Sequence, residues 1–366
     1  MKQSKSSQKN KKRVMVAMSG GVDSSVTALL LKKKGYEVIG VTMCFGFKDP
    51  KGSRPTCCSE SGIQDARRVA EQLGISHYVL SFGKQLKERV IEDFVKEYQS
   101  GRTPNPCVRC NQYLKFDCLV RRAKELNCDY LATGHYAKIT HNRLGETFLK
   151  RAKDRQKDQS YFLFRISREI MDFILFPLGN YTKQEVRKIA KQNKLRVADK
   201  PGSQDVCFIP GQGYKDFFIQ RLGEDKLRPG LVKDTKGNLL GKHKGIVFYT
   251  IGQRQGLGIA HKHPLYVLKI DRKTNTLVVG EKKEAYGSRL EAKELHLLTY
   301  KSLPKRLEVK AKIRYNHPEV RAIVRTLRKD RVCLEFKTPQ WAITPGQSVV
   351  FYKNNTVIGG GTIESV

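Results

Sequence analysis

Apolar residues in the first two hundred positions fall into two alternating rhythms. Continuous apolar runs at RVMVAM (13–18), EVIGVTM (37–43) and SHYVLSF (76–82) have the length and composition of buried strands. Between and after them, apolar residues recur every three or four positions: VTALLLKKKG (26–35), ESGIQDARRVAEQLG (60–74), KQLKERVIEDFVKEY (84–98) and QYLKFDCLVRRAKEL (112–126). That spacing predicts helices, and DYLATGHYA (129–137) adds a further strand. Strands alternating with helices of this length predict a parallel α/β sheet with right-handed crossovers.

The rhythm changes near residue 200. DKPGSQDVCFIPGQGY (199–214) is rich in Gly and Pro and reads as a hinge, and residues 223–245 are glycine-rich and polar. From residue 246 onward the pattern is one of short alternating strands with turns. YVLKIDRKTNTLVVG (266–280), EVKAKIRY (308–315), VRAIVRTLRKDRVCLEF (320–336) and QSVVFYKNNTVIGGGTI (347–363) carry it. This predicts a small antiparallel barrel of the kind that binds RNA. The expected organisation is a basic arm over 1–12, an α/β catalytic domain over 13–209, a central domain over 210–283 and a C-terminal barrel over 284–366.

Charge sharpens this picture. Seventy Lys and Arg stand against thirty-five Asp and Glu, a net charge of +35 with a pI of about 9.9. Such an excess repels itself unless an anionic partner meets it, and nucleic acid is the abundant one; a solvated basic surface is the plainer reading. The opening MKQSKSSQKNKKR holds six basic residues and no acidic one. It lacks the apolar stretch of a secretory signal and is expected to be an arm for RNA phosphate. No apolar run approaches membrane-spanning length. Nine cysteines in such a chain point to reduced thiols, metal binding or catalysis in a cytoplasmic setting, not to a disulfide scaffold.

Two stretches carry candidate chemistry. SGGVDSS (19–25) lies between the first strand and the first helix, where backbone N–H groups and the helix dipole make an anion site. It has neither the Gly-Lys-Ser/Thr of a Walker loop nor the G-x-G-x-x-G of dinucleotide folds. NPCVRCN (105–111) places two cysteines three apart, a spacing open to half a zinc site, a redox couple or a single catalytic thiol. No second Cys-x-x-Cys or Cys/His pair stands at knuckle spacing.

The string SGGVDSS after an apolar strand resembles the PP-loop ATP pyrophosphatases, which cleave ATP between the α and β phosphates. Sulfur chemistry on an adenylated oxygen needs thiols, and NPCVRCN with GSQDVCFI (202–209) offers them. As a whole the chain resembles the tRNA-specific 2-thiouridylases. The resemblance rests on AMSGGVDSS (17–25), GRTPNPCVRCN (101–111), ATGHYAK (132–138), KDQSYFL (157–163), GSQDVCFI, TIGQRQGLGI (250–259), RYNHP (314–318) and TPGQSVVFY (344–352), in the family's order over nearly the full chain.

The resemblance implies ATP-dependent conversion of a wobble uridine of tRNA to 2-thiouridine, with AMP and pyrophosphate released. It assigns Ala17, Met18, Ser19, Gly20, Gly21, Val22, Asp23 and Ser24 to the ATP phosphates, with Asp23 helping to place Mg2+ or the transferring group. Met43 would meet the adenine, and Gly134 would close over the nucleotide. Asn105, Pro106 and Cys107 would contact the target base. His135, Lys157, Asp158, Gln159, Arg314, Tyr315 and Gln347 would touch tRNA. Cys110 matches the family's nucleophile and Cys207 its persulfide carrier, loaded by a cysteine desulfurase or sulfur-relay protein, and the two would end as a disulfide.

Some relatives carry an acidic residue in place of Cys107, so its thiol is a departure. It opens an alternative to persulfide relay, an iron–sulfur cluster on Cys107, Cys110 and Cys207. A small-molecule amidotransferase with a PP-loop, and an RNA-binding protein with a relic nucleotide fold, are the competing functions. The first leaves the basic surface and the barrel unexplained; the second predicts tRNA binding without AMP release.

Overall fold

The computed structural model of the chain describes residues 11–46, 60–202, 206–209, 213–328 and 330–366. Most of the basic arm, Cys57, Cys58 and residues 203–205 of the GSQDVCFI motif lie outside the described residues.

β1 (Arg13–Ala17) carries Val14, Met15 and Val16 with no exposed surface, as a strand flanked by two parallel neighbours requires. Those neighbours are β2 (Glu37–Cys44) and β4 (Tyr130–Thr133), and β3 (Ser76–Ser81) and β7 (Ile174–Leu175) lie outside them. All pairings are parallel, in the order β3-β2-β1-β4-β7. The order therefore reverses between β1 and β4, the place where open α/β sheets accept ligands at the carboxyl ends of their strands.

Helices α1 (Val22–Lys33) and α2 (Glu60–Leu73) follow the predicted apolar spacing. The helix expected over 84–98 is α3 (Gly83–Leu86) and α4 (Glu92–Gln99), joined by a π-helical turn at Lys87–Ile91. After the short α5 (Pro106–Cys110), a second π-helical stretch, Asn111–Cys118, is kinked at Phe116 and runs into α6 (Leu119–Glu125). Two such wide turns flank the cysteine segment, a placement π-turns often take at functional sites. α7 (Lys183–Gln192) starts with a full capping box: Thr182 accepts from the Glu185 N–H, and Glu185 accepts from that of Thr182. α8 (Gly213–Leu222) opens the central region.

The expected strand at 129–137 is divided. β4 ends at Thr133, and Ala137 begins a hairpin of β5 (Ala137–His141) and β6 (Thr147–Arg151). The central domain is a four-stranded sheet of β8 (Gly230–Lys233), β9 (Leu239–His243), β10 (Tyr266–Asp271) and β11 (Thr276–Gly280), cored by Val232, Val267, Leu277 and Val279. β12 (Tyr286–Leu297), β13 (Arg306–Lys312), β14 (Val320–Arg328), β15 (Arg331–Trp341), β16 (Ser348–Lys353) and β17 (Thr356–Ser365) close into an antiparallel barrel, because β12 pairs with both β15 and β17. β17 also takes β6 at its edge, Thr356 opposite Lys150, so the catalytic domain lends the barrel a hairpin. Among the described residues no helix is long and apolar enough to cross a membrane.

Candidate active site

The glycine loop is folded by its own residues. Gly20 has a φ of +69°, and a Cβ there would stand 2.1 Å from the Gly62 carbonyl oxygen of α2, so only glycine fits. The Ser24 hydroxyl accepts from the Ser19 N–H and donates to the Gly21 carbonyl, both at 3.1 Å. Ser25 donates to the same carbonyl at 2.9 Å. Gly134, just past β4, is pressed onto the start of α1: a Cβ would lie 2.9 Å from the Ser24 nitrogen. Met18 and Met43 are buried. Residues 17–24, Met43 and Gly134 thus sit at the carboxyl ends of β1, β2 and β4, where the N-terminus of α1 offers the polarity that suits an anion.

Asp23 is the charged centre of this loop. Lys183, the first residue of α7, places its ammonium 2.6 Å from each carboxylate oxygen, and the Tyr136 hydroxyl donates to Oδ1 at 2.8 Å. Burial, with the Asp23 charge and hydrogen bond beside it, drives the Tyr136 hydroxyl far above its ordinary pKa, so it stays a donor. Lys200 donates to the Gly20 carbonyl at 3.1 Å and to Asp65 at 2.6 Å. Neither lysine is marked by the sequence; each reads as a solvated cation far from the loop in the chain. Mg2+ is commonly held by one or two carboxylates together with substrate phosphates. Asp23 fits that pattern beside a bound triphosphate, where the ion would neutralise phosphate charge.

The cysteine segment is set by local capping. Asn105 accepts from the Val108 N–H at 3.3 Å, and Pro106 occupies the first helical position, where a missing N–H costs nothing. Pro106 and Val108 turn inward, Cys107 is exposed and Cys110 is half-buried. Cys207 is half-buried too, and both Cys110 and Cys207 pack against the same hydrophobic core. Phe208 and Ile209 anchor the Cys207 segment there; Phe208 meets Phe94 of α4 edge-on at 5.2 Å. Phe94 also stacks on Phe218 of α8, which reaches Phe248 of the central domain. Among the described residues no three His, Cys, Asp or Glu side chains gather as a metal site.

The residues expected at tRNA take varied positions. Lys157 is exposed. Asp158 is buried, accepting from the Ala152 N–H at 2.9 Å and the Ser160 hydroxyl at 2.7 Å. Gln159 accepts from the Tyr136 N–H at 3.0 Å, which ties its turn to the Asp23 site. His135 is buried against Phe116 and Phe176 with Nδ1 2.7 Å from the Thr133 hydroxyl, and burial holds its pKa well below the usual range. Arg314 lies over the Trp341 ring and donates to the Trp341 carbonyl at 2.9 Å; Tyr315 packs on Phe162 with ring centres 4.5 Å apart. The Gln347 amide donates to the carbonyls of Thr103 and Pro104 at 3.0 and 3.1 Å, just ahead of the cysteine helix.

Family models match three consecutive blocks: a tRNA methyl transferase HUP domain over residues 12–211, a tRNA methyl transferase PRC-barrel domain over 215–281 and an aminomethyltransferase beta-barrel domain over 288–363. The tRNA-specific 2-thiouridylase MnmA of Natranaerobius thermophilus is 47% identical over 357 residues, 96% of this chain and 97% of its own. That of Halothermothrix orenii is 49% identical over 357 residues, 96% of this chain and 99% of its own. Among solved structures, a 4-thiouridine synthetase–RNA complex with bound ATP is 17% identical, covering 58% of this chain and 49% of that one with a TM-score of 0.35. With near-complete coverage at this identity, the chain belongs to the tRNA-specific 2-thiouridylase family.

Proposed function

We propose that the chain uses ATP to convert the wobble uridine of tRNA to 2-thiouridine, with Cys110 and Cys207 carrying the sulfur chemistry. The observation that carries the reading is the packing of Cys207 and Cys110, distant in sequence, against one hydrophobic core that also takes in Ala17 at the end of β1 and Met43 near the end of β2. Family membership supports the overall reaction.

The uridine C2 oxygen is a poor leaving group. Attack by that oxygen on the α-phosphorus of ATP expels pyrophosphate and leaves the oxygen bonded to AMP. The α1 N-terminus and the residues of the loop hold the phosphates, while Lys183 and Asp23 balance charge beside them. The terminal sulfur of a Cys207 persulfide then attacks C2, and AMP departs. The Cys110 thiolate attacks the Cys207 sulfur, releasing the thiocarbonyl and forming a Cys110–Cys207 disulfide. In the other order, Cys110 attacks first and the hydrosulfide it releases displaces AMP. Either way two thiols lose two electrons to the sulfane sulfur, and an external thiol reductant must restore them. A disulfide requires Cα atoms within about 7 Å, which closes the Cys207 segment over α5. The base has to leave its stack to reach this site. A donor protein supplies the sulfane sulfur.

ATP labelled at the γ-phosphate is expected to give labelled pyrophosphate in a tRNA-dependent reaction, since the loop lacks the Walker lysine of γ-transfer enzymes. Labelled orthophosphate as the primary product, with pyrophosphatase excluded, would contradict the proposal.

A further inference from the structure

Glu294 lies in β12 at a bulge, where the register against β17 shifts between Lys293 and His296, and its backbone adopts a φ of +54°. A glutamate keeps that conformation only when its surroundings impose it, and such positions cluster at functional sites. Here the carboxylate is gripped from three sides. Arg109 donates to its two oxygens at 3.2 and 2.9 Å, Arg165 donates at 2.8 Å, and the Thr362 hydroxyl donates at 3.0 Å. The Arg165 side chain is 7% exposed while that of Glu294 is 41% exposed, so the carboxylate sits at the solvent edge with one of its cations held inside the protein. Asp93 adds a second carboxylate 3.4 Å from Arg109, and a polar cavity of about 200 Å³ opens alongside.

Arg109 stands between Cys107 and Cys110 on α5. A second set of contacts holds the backbone just before that helix to the same barrel. Arg102 donates to the carbonyls of Ile363 and Glu364 at 3.0 and 3.4 Å. The Thr103 N–H donates to the Pro345 carbonyl at 2.8 Å, and Gln347 holds the next two carbonyls. Gly346, at a φ of +93°, approaches so closely that a Cβ would lie 2.8 Å from the Thr103 nitrogen. The barrel therefore grips the segment both ahead of the cysteines and between them.

We infer that Glu294 is a positioning residue for the thiol chemistry: through Arg109 it sets α5, and with it Cys107 and Cys110, against the target base. The barrel is then part of the active-site frame as well as a surface for tRNA. This inference rests on the 2-thiouridylase reading above. A displaced Cys110 leaves the adenylated base open to water, which returns uridine and AMP. Pyrophosphate release then outruns sulfur transfer.

Two variants test it in the full-length protein. Glu294→Gln removes the charge at nearly constant shape, and Arg109→Lys keeps the charge balance but loses the fork that reaches both oxygens. Both are expected to lower the 2-thiouridine formed per pyrophosphate by roughly 10-fold or more, as misplacement near 1 Å does, with the KM for ATP within about twofold of wild type. Unchanged turnover in both variants would overturn the inference. So would parallel losses of pyrophosphate release, thiolation and thermal midpoint, since that is a purely structural role. A wild-type protein that makes no 2-thiouridine would overturn the reaction itself and this inference with it.

Discussion

Replacing Cys110 or Cys207 by serine is expected to lower 2-thiouridine formation by roughly 10³-fold or more, the scale on which removal of a nucleophile acts. A serine hydroxyl carries no sulfane sulfur and attacks no disulfide at neutral pH, so neither the relay nor its resolution survives. The folded state should tolerate both changes. Each thiol is only half-buried, and a hydroxyl at such a place costs on the order of 1 kcal/mol. Phe208 and Ile209, not Cys207, supply the buried anchor of that segment. ATP and tRNA binding should therefore stay near wild type while thiolation disappears. Nucleoside analysis of the tRNA, read beside thermal unfolding, checks both halves. Thiolation that persists in either serine variant would remove that cysteine from the mechanism.

The second large effect is expected at the Asp23–Lys183 pair. Asp23→Asn and Lys183→Met should each reduce tRNA-dependent AMP release by about 10²-fold or more, the cost of removing one preorganised charge from a phosphoryl-transfer site. Lys183→Met leaves the Asp23 carboxylate with the Tyr136 hydroxyl beside it but no cation, so its charge repels the incoming triphosphate. Asp23→Asn removes the carboxylate suited to share Mg2+ with the phosphates. Because the two side chains touch, their effects should not add, and the double variant should be little worse than either single one. Full additivity of the two losses in AMP release would show that they act separately. Retention of tRNA at low salt should be the same in all three, since neither residue belongs to the exposed basic surface.

Much of the fold is legible in the chain because strands with parallel neighbours on both sides bury their middles, and Val14, Met15 and Val16 of β1 with Val38, Val41 and Met43 of β2 supply the apolar runs. The β5–β6 hairpin is not. Its residues are short, half-buried and broken by HNRLGE, and its partner β17 lies some two hundred positions on. DYLATGHYA reads as one strand because apolar content cannot reveal the close approach of Gly134 to α1. At the site, the glycine loop and the cysteine motifs are visible as strings. Lys183 and Lys200 are invisible, since a lysine in TKQEVRK or ADKPG looks like any solvated cation until the fold brings it to Asp23 or Gly20. Glu294 is hidden for a related reason. The alternation of β12 slips at KEL, and only the barrel bulge turns that slip into a contact with Arg109.

The most direct measurement incubates the protein with ATP, unmodified tRNA, a persulfide donor of sulfane sulfur and a thiol reductant, then quantifies 2-thiouridine and AMP together. The account predicts 2-thiouridine at the wobble position, formed in amounts equal to AMP and only when all components are present. Binding of tRNA with no AMP released and no 2-thiouridine formed would contradict it.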